Sequence, residues 1–197
     1  MALNKSKHSR GTRLFHMSIA LLIVTQLITS QLLGGKGENV YFEIHEYSGL
    51  GAFILMFLFW IFAIWRREGT APSLLFPWFS GKRLMALWQD MQTHFAAFAK
   101  FKLPPHDPHA ALPSATHGLG VLLVLIMGLT GTVIYVAIQT GNGKAGWAGT
   151  AKGLHETFSN LVWAYLIGHV GIALINHFAS KQSLSDMWSV KKDDRYN

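Results

Sequence analysis

Residues 155–180 have the sequence HETFSNLVWAYLIGHVGIALINHFAS. After Glu156 the chain runs for 24 residues, to Ser180, without a formally charged side chain. A helix needs about 20 mostly apolar residues to cross the hydrocarbon core of a bilayer. The stretch is therefore predicted to form a membrane-spanning helix, which makes the bilayer the solvent of the fold.

Three further stretches towards the N-terminus have similar length and apolar character. Together they predict an all-α membrane protein, a four-transmembrane-helix bundle that forms a single membrane domain over residues 1–197. The first span is interpreted as a retained helix rather than a cleaved signal peptide, because it carries Gln26 and Gln31 and no Ala-x-Ala site follows it. The predicted spans are roughly 14–34, 44–65, 114–139 and 154–179.

The composition of the whole chain agrees with a membrane protein. Of its 197 residues, 50% are hydrophobic and 14% are Asp, Glu, Lys or Arg, whereas a water-soluble domain has about 25% charged residues. The absence of cysteine excludes disulfides, iron–sulfur clusters, thiolate zinc sites, thiol nucleophiles and thioether-attached haem as chemistry of this chain. No nucleic-acid partner is predicted from the net charge of +7, because no nucleic-acid-binding motif accompanies it.

The positive charges are distributed unevenly between the segments that flank the four spans. Fourteen Lys and Arg residues lie before the first span, in the long middle loop 66–113 and after the fourth span. The other two connections contain three, namely Lys36, Lys144 and Lys152. By the positive-inside rule, this asymmetry predicts a multi-pass protein of the bacterial inner membrane, with both termini and the middle loop in the cytoplasm.

The middle loop contains an apolar pattern of its own. Six apolar residues recur at helical spacing, with charged and polar residues between them, which predicts a cytoplasmic amphipathic helix on the inner membrane surface. A docking helix for a partner protein is the alternative. The apolar residues are Leu84, Leu87, Trp88, Met91, Phe95 and Phe98.

Histidine is the residue type that the chain has in excess, with ten copies. The predicted orientation places His16 and His169 towards the cytoplasmic side of the membrane, and His45 and His155 towards the outer side. His155 and His169 are fourteen residues apart, which is ~21 Å along a helix and ~40° from a whole number of turns. Both therefore face one side of the fourth span. Because an imidazole inside a span is costly to bury, each is expected to have a functional partner.

Two pairs of imidazoles at two depths of a four-helix bundle are what bis-histidine coordination of two haems requires. The alternative is four independent histidines that form hydrogen bonds near helix ends. Arg10 and Arg13, just before His16, would pair with haem propionates, anchor the span at the cytoplasmic surface, or both. Glycines in the second and third spans would leave room for a macrocycle or, equally well, for close helix packing. These are Gly49, Gly51, Gly118, Gly120, Gly128 and Gly131.

A set of histidine motifs extends over all four spans: Arg13-Leu14-Phe15-His16, His45, His117 with Leu129-Thr130-Gly131, and His155 with His169. It resembles the bacterial dihaem b-type cytochromes, a family that comprises cytochrome b561 and the cytochrome b subunits of nickel-iron hydrogenases and related reductases. The fourteen-residue spacing is the most specific element. The resemblance implies that His16 and His169 ligate the iron of a cytoplasmic-side haem b, while His45 and His155 ligate that of a second, outer haem b.

The resemblance also implies an integral-membrane cytochrome b that transfers electrons between the membrane quinone pool and an outer-face redox partner protein or subunit. The alternative within the family is a self-sufficient superoxide:quinone oxidoreductase, so the chain is either an electron-transfer component or an enzyme itself. Membrane lipid is its expected surrounding, and oligomer formation stays open. His117 and His177 are candidate quinone-binding residues, although either would also suit a membrane–water interface.

A more distant hypothesis treats the intramembrane histidines as a relay that transports metal ions or protons. It predicts transition-metal binding without haem. It also makes the matching of the histidines at two depths a coincidence, so electron transfer is the preferred prediction.

Overall fold

The computed structural model describes residues 9–33, 39–65, 75–102, 110–180 and 188, and in these ranges it contains helices and no strand. Within the described ranges, five α-helices have defined bounds, and a short 3-10 turn at Pro77–Phe79 precedes the third. The predicted all-α fold is confirmed. The helices are α1 (Arg10–Gln31), α2 (Val40–Trp65), α3 (Gly81–Phe98), α4 (Ala111–Gln139) and α5 (Gly146–Ser180).

Four of these helices, α1, α2, α4 and α5, are long and apolar enough to cross a membrane. The predicted four-span membrane bundle is therefore confirmed. All four helices begin before their predicted spans, because a span is predicted from residues that hydrocarbon accepts, whereas a helix continues into the polar headgroup region. The 35 residues of α5 show this clearly, since they extend over about 52 Å and the hydrocarbon core is about 30 Å thick.

Polar caps fix where α1 and α2 begin. The Ser9 hydroxyl accepts the backbone N–H of Thr12 (3.2 Å), which satisfies one of the free donors at the start of α1. Asn39 does the same for α2, since its Oδ1 accepts the N–H of Phe42 (2.9 Å) and its Nδ2 donates to the carbonyl of Leu33 (3.0 Å). Asn39 therefore joins the start of α2 to the residues that follow α1.

A glycine turn connects α4 to α5. Gly141 has a φ of 72°, in the left-handed region that favours glycine. Its N–H donates to the carbonyl of Ile138 (3.1 Å) and the N–H of Asn142 donates to that of Ala137 (2.8 Å), which closes the last turn of α4. Because only residues 140–145 separate the two helices, α5 returns antiparallel to α4.

The chain divides into two compact units, of which the first contains residues 1–69 and 123–197. Its buried core is narrow, and Leu27, Leu123 and Val162, from three different helices, pack together there. Many large apolar side chains of the same helices are exposed, for example Ile167 at 68% and Phe178 at 78%. Such a surface is expected of helices whose outer faces contact lipid rather than water.

Close approach of α2 and α4 depends on Gly128. A Cβ built on this residue would lie 2.9 Å from both Cβ and Cγ of Phe53 on α2, closer than real Cβ atoms come to a neighbour. Helices in membranes commonly approach through such small residues. Gly128 therefore serves helix packing, one of the two roles that its sequence context leaves open.

The second unit, residues 70–122, contains the 3-10 turn, α3 and the first part of α4. Asp90 connects α3 to the start of α4. One of its carboxylate oxygens accepts the N–H of Leu112 at the start of α4 (2.8 Å), and the other lies 3.2 Å from Nδ1 of His94. Negative charge at a helix N-terminus is stabilising, so Asp90 supports the first turn of α4 from outside the helix.

The helix predicted in the middle loop is present as α3. Leu87 and Met91 are half-buried, whereas Leu84, Trp88, Phe95 and Phe98 form an exposed apolar face. The cytoplasmic location of this face on the membrane surface stays a prediction, and so does its alternative use as a docking helix. The remaining parts of the predicted loop, 66–74 and 103–109, lie outside the described residues.

Replacement of Gly128 by alanine is expected to destabilise the protein by about 1–3 kcal/mol, the usual cost of overpacking a tight contact, because the new methyl group would overlap Phe53. Chemical unfolding in detergent measures the change. Gly149→Ala is the matched control, since Gly149 is exposed and has no atom within 4 Å of its Cβ position. The control should leave stability unchanged or raise it by up to about 1 kcal/mol. Equal effects of the two substitutions would contradict the packing role of Gly128.

Candidate functional site

The four intramembrane histidines come together in two pairs within the first unit. The ring centres of His45 on α2 and His155 on α5 are 6.3 Å apart, and those of His16 on α1 and His169 on α5 are 6.4 Å apart. All four side chains are half-buried. Helix α5 contributes one histidine to each pair, and ~21 Å of helix separates these two residues. The pairs therefore form two layers.

In the layer of His45 and His155, each imidazole is held by a threonine from a neighbouring helix. Thr29 Oγ1 of α1 lies 3.1 Å from Nδ1 of His45, and Thr130 Oγ1 of α4 lies 2.9 Å from Nδ1 of His155. We call these four residues the threonine layer. Each of the hairpins α1–α2 and α4–α5 supplies a histidine from its second helix and the hydroxyl that holds it from its first.

The backbone contacts of the two threonines decide the direction of these hydrogen bonds. Thr29 Oγ1 donates to the carbonyl of Thr25 (2.8 Å), one turn back, and Thr130 Oγ1 donates to that of Ile126 (2.8 Å). A hydroxyl has one proton, so with that proton on a backbone carbonyl both threonines accept and Nδ1–H donates. The backbone of Gln26 also hydrogen-bonds the His45 ring, and that of Met127 the His155 ring. Nε2 of each ring then carries the lone pair with which a neutral imidazole binds a metal.

Gln26 fixes the backbone of the helical turn that carries His45. Its Nε2 donates to the carbonyl oxygen of His45 (2.6 Å) and to the hydroxyl of Ser48 (2.6 Å). A Cβ at position 49 would lie 3.1 Å from Oε1 of Gln26, so Gly49 leaves the space that the amide occupies. The amide therefore joins α1 to α2 at the depth of the threonine layer.

The layer of His16 and His169 is lined by aromatic rings. Tyr165, one turn before His169, stacks on its ring at 5.4 Å with an interplanar angle of 12°, and Trp188 meets the His16 ring edge-on at 5.6 Å. We call these four residues the aromatic layer. Among the described residues, Nδ1 of His16 is buried without a hydrogen-bond partner. The two layers thus surround similar imidazole pairs with different chemistry.

The chain matches a known protein family over nearly its whole length. A model of the family described as prokaryotic cytochrome b561 matches residues 7–190, nearly the whole chain. The chain belongs to the prokaryotic cytochrome b561 family. It is therefore a multi-pass bacterial membrane protein that binds haem b and transfers electrons, and the resemblance seen in its sequence is confirmed. Neither the curated proteins nor the solved structures gave a match.

The geometry of both histidine pairs fits a haem iron. A bond from a metal to an imidazole nitrogen is about 2 Å long, so two rings that bind one ion from opposite sides have centres about 6 Å apart once the radius of each ring is added. The separations of 6.3 and 6.4 Å meet this requirement. In the described ranges no three His, Asp or Glu side chains are grouped so as to hold a metal ion.

Two further residues suit the neighbourhood of a haem. A Cβ on Gly131 would lie 3.3 Å from Cε1 of His155, so a larger residue there would displace the imidazole. Arg13 lies one turn before His16 and is only 5% exposed. A guanidinium is suited to pair with an anionic group, and a haem propionate is such a group. Arg10, by contrast, is exposed.

The candidate quinone-binding histidines lie outside both layers. His117 is exposed in the second unit, near the start of α4. His177 is half-buried in the last turn of α5, with its ring 5.1 Å from that of Phe178. Their role in quinone binding stays a prediction.

Sequence reasoning did not assign Thr29, Gln26 or Tyr165 to the site, and it treated Thr130 only as part of a motif. A signal for two of them was present. Gln26 and Thr29 are three residues apart, hence on one face of α1, and a polar group in a span must find a partner within the protein. Tyr165 lies four residues before His169, which predicts contact along one helix face.

Gln26→Ala is expected to reduce stability by about 1 kcal/mol, the usual size of a hydrogen bond between helices in a membrane, because it removes the two bonds that the Gln26 amide makes to α2. Unfolding in detergent measures the loss. Gln31→Ala is the control on the same helix, since Gln31 is exposed and its Nε2 donates to the adjacent Ser30 (3.4 Å). A loss from Gln31→Ala as large as that from Gln26→Ala would contradict the role given to the Gln26 amide.

Proposed function

We propose that the chain is a dihaem cytochrome b with one haem b in each layer. His45 and His155 are the axial ligands in the threonine layer, and His16 and His169 are those in the aromatic layer. The observation that carries the proposal is the presence of two imidazole pairs, each with the ring separation that one iron atom requires. Arg13, buried one turn before His16, is assigned to a propionate of the aromatic-layer haem.

The proposed activity is electron transfer across the membrane, between the quinone pool and a redox partner protein or subunit at the outer face. When bound, each haem supplies an iron that accepts and releases one electron at a time. The chain orients the imidazoles through Thr29 and Thr130, excludes water with its apolar helices and sets the spacing of the layers. The ~21 Å between the layers spans most of a hydrocarbon core of ~30 Å, so the two layers serve opposite membrane surfaces.

The charge distribution supports one orientation of this carrier. Fourteen Lys and Arg residues flank the spans on one side and three on the other, so we place both termini in the cytoplasm and the protein in the inner membrane. The aromatic layer then lies towards the cytoplasm and the threonine layer towards the outer face.

His177 is the preferred candidate for the quinone site. It follows His169 by eight residues, ~12 Å along α5, and is half-buried. A half-buried imidazole at the end of a span reaches both the lipid, where quinone is dissolved, and the cytoplasmic water. It would donate a hydrogen bond to a quinone carbonyl and exchange that proton with solvent. His117, which is exposed, is the second candidate.

The electron donor distinguishes two forms of the proposal. Direct oxidation of superoxide would be favoured by a cationic entrance near the threonine layer. In the connection between α4 and α5 and the first turns of α5, the described cations are Lys144 and Lys152, and Lys152 lies 3.7 Å from the carboxylate of Glu156. This modest positive charge favours a partner protein or subunit as the donor.

Wild-type protein should contain two haem b groups per chain, counted by pyridine haemochrome and by the reduced-minus-oxidised spectrum. His169→Ala should remove the aromatic-layer haem and retain the other, while His45→Ala should remove the threonine-layer haem and retain the first, because each substitution takes one axial ligand from one pair. His94→Ala is the control, since His94 lies on α3 beside Asp90, and it should keep both haems.

Retention of two haems in either ligand variant would contradict the pairing. Binding of a transition metal without haem, in protein produced with adequate haem supply, would contradict the cytochrome function and bring back the histidine-relay transporter.

Purified protein supplied with superoxide as the sole donor is expected to reduce quinone slowly, because the charge near the threonine layer attracts anions weakly. Quinone reduction is followed by its ultraviolet absorbance, with superoxide dismutase added as a control. Rapid reduction that the dismutase abolishes would contradict the requirement for a partner and establish a self-sufficient superoxide:quinone oxidoreductase.

A further inference from the structure

His45 and His155 in the threonine layer have Nδ1 hydrogen bonds of a kind that His16 in the aromatic layer lacks within the described part of the chain. In the threonine layer, Nδ1–H of His45 donates to Thr29 (3.1 Å) and Nδ1–H of His155 donates to Thr130 (2.9 Å). In the aromatic layer, Nδ1 of His16 is buried without a hydrogen-bond partner among the described residues. The ring separations of the two pairs agree to within 0.1 Å, whereas the interplanar angle is 50° for His16–His169 and 80° for His45–His155.

We infer that Thr29 and Thr130 are positioning residues that hold the reduction potential of the threonine-layer haem below that of the aromatic-layer haem. The inference rests on the proposed function, because it takes the four histidines as axial ligands. Membership of the family does not by itself give these two hydroxyls a role in setting a haem potential.

The acceptor on each threonine affects how strongly the imidazole binds a metal. A hydrogen bond from Nδ1–H draws the proton away from the ring, which makes Nε2 a more basic ligand. A more basic axial ligand stabilises ferric iron more than ferrous iron, and hydrogen bonding around the ligands is one of the terms that set haem potentials. Two such bonds act in the threonine layer. The His16 ring lacks this effect, so its ligand field favours the ferrous state more.

The threonines are suited to act as fixed acceptors. Each hydroxyl directs its own proton to a backbone carbonyl one turn back, that of Thr25 for Thr29 and that of Ile126 for Thr130. This bond to its own helix holds each hydroxyl in place, with its oxygen directed to the imidazole.

The difference in potential gives electron transfer a direction. With haem bound in both layers, a lower potential in the threonine layer would favour the transfer of one electron from that layer to the aromatic layer, without a change in bonds or protons at either histidine pair. The favoured flow is then from the threonine layer to the aromatic layer. In the proposed orientation this is from the outer face towards the cytoplasmic side, where the proposed quinone site at His177 receives the electron.

The test is a potentiometric measurement on the purified full-length dihaem protein, followed by the absorbance of the haem α band. Wild type should show two components, and the one of lower potential should be absent from His45→Ala. Thr130→Val and Thr29→Val should each raise that lower component and leave the upper one unchanged. The double variant should raise it further. Thr130→Ser, which restores the hydroxyl, should return the potential towards the wild-type value.

Thr132→Val is the matched control. Thr132 lies on α4 two residues from Thr130, and its Oγ1 likewise donates to a backbone carbonyl one turn back, that of Gly128 (2.8 Å). Thr25→Val serves the same purpose on α1, because the Thr25 hydroxyl donates to the carbonyl of Leu21 (3.0 Å). Both controls should leave the two potentials unchanged.

Four results would overturn the inference. Either the lower component belongs to the aromatic layer, or it does not move in the valine variants although both haems are present, or it moves as much in Thr132→Val as in Thr130→Val. Loss of the threonine-layer haem from both valine variants would show that the hydroxyls retain the haem rather than set its potential, and would also overturn it. A wild-type protein without two haems overturns the proposed function itself, so the haem count separates that failure from the others.

Discussion

The bilayer offers no water to a polar group, and this constraint determines how every polar side chain in the four spans is arranged. Threonines in the spans turn their hydroxyls to their own backbone, as Thr29 and Thr130 do. Because each hydroxyl donates its only proton in this way, its oxygen accepts a hydrogen bond from a neighbouring helix. The histidines donate Nδ1–H to that acceptor, which leaves the lone pair on Nε2. A bond within one helix thus fixes the tautomer of an imidazole on another helix.

Helix packing follows from the same constraint, since apolar surface gains little by contact with another helix rather than with lipid. The first unit has a narrow core around Leu27, Leu123 and Val162, and leaves many large side chains outward. Contact between helices then depends on small residues, such as Gly128 against Phe53, and on polar links, such as Gln26 with His45 and Ser48. Both kinds of contact occur near the threonine layer, where the spacing between helices must suit a bound group.

The sequence predicted the four spans because the length of an uncharged apolar segment is a local property, and this length decides whether the segment can cross the bilayer. It also predicted which histidines share a depth, because His155 and His169 lie on one helix of known rise. The partners of the imidazoles were harder to foresee. Thr29 reaches His45 across a hairpin, and no period in the sequence relates residues on two helices whose rotation is unknown. The early start of α1 at Arg10 was missed for a different reason, since it depends on the Ser9 cap rather than on hydropathy. The support of α4 by Asp90 likewise comes from another helix.

Helix α5 carries one histidine of each layer, whereas the other two histidines come from separate helices. One inserted or deleted residue between His155 and His169 would turn one histidine by ~100° relative to the other and move it by ~1.5 Å along the helix, so both pairs could no longer form together. The connection at residues 140–145 is under no such restriction. We therefore expect the lengths of the loops to tolerate insertions and deletions better than the segment between the two α5 histidines.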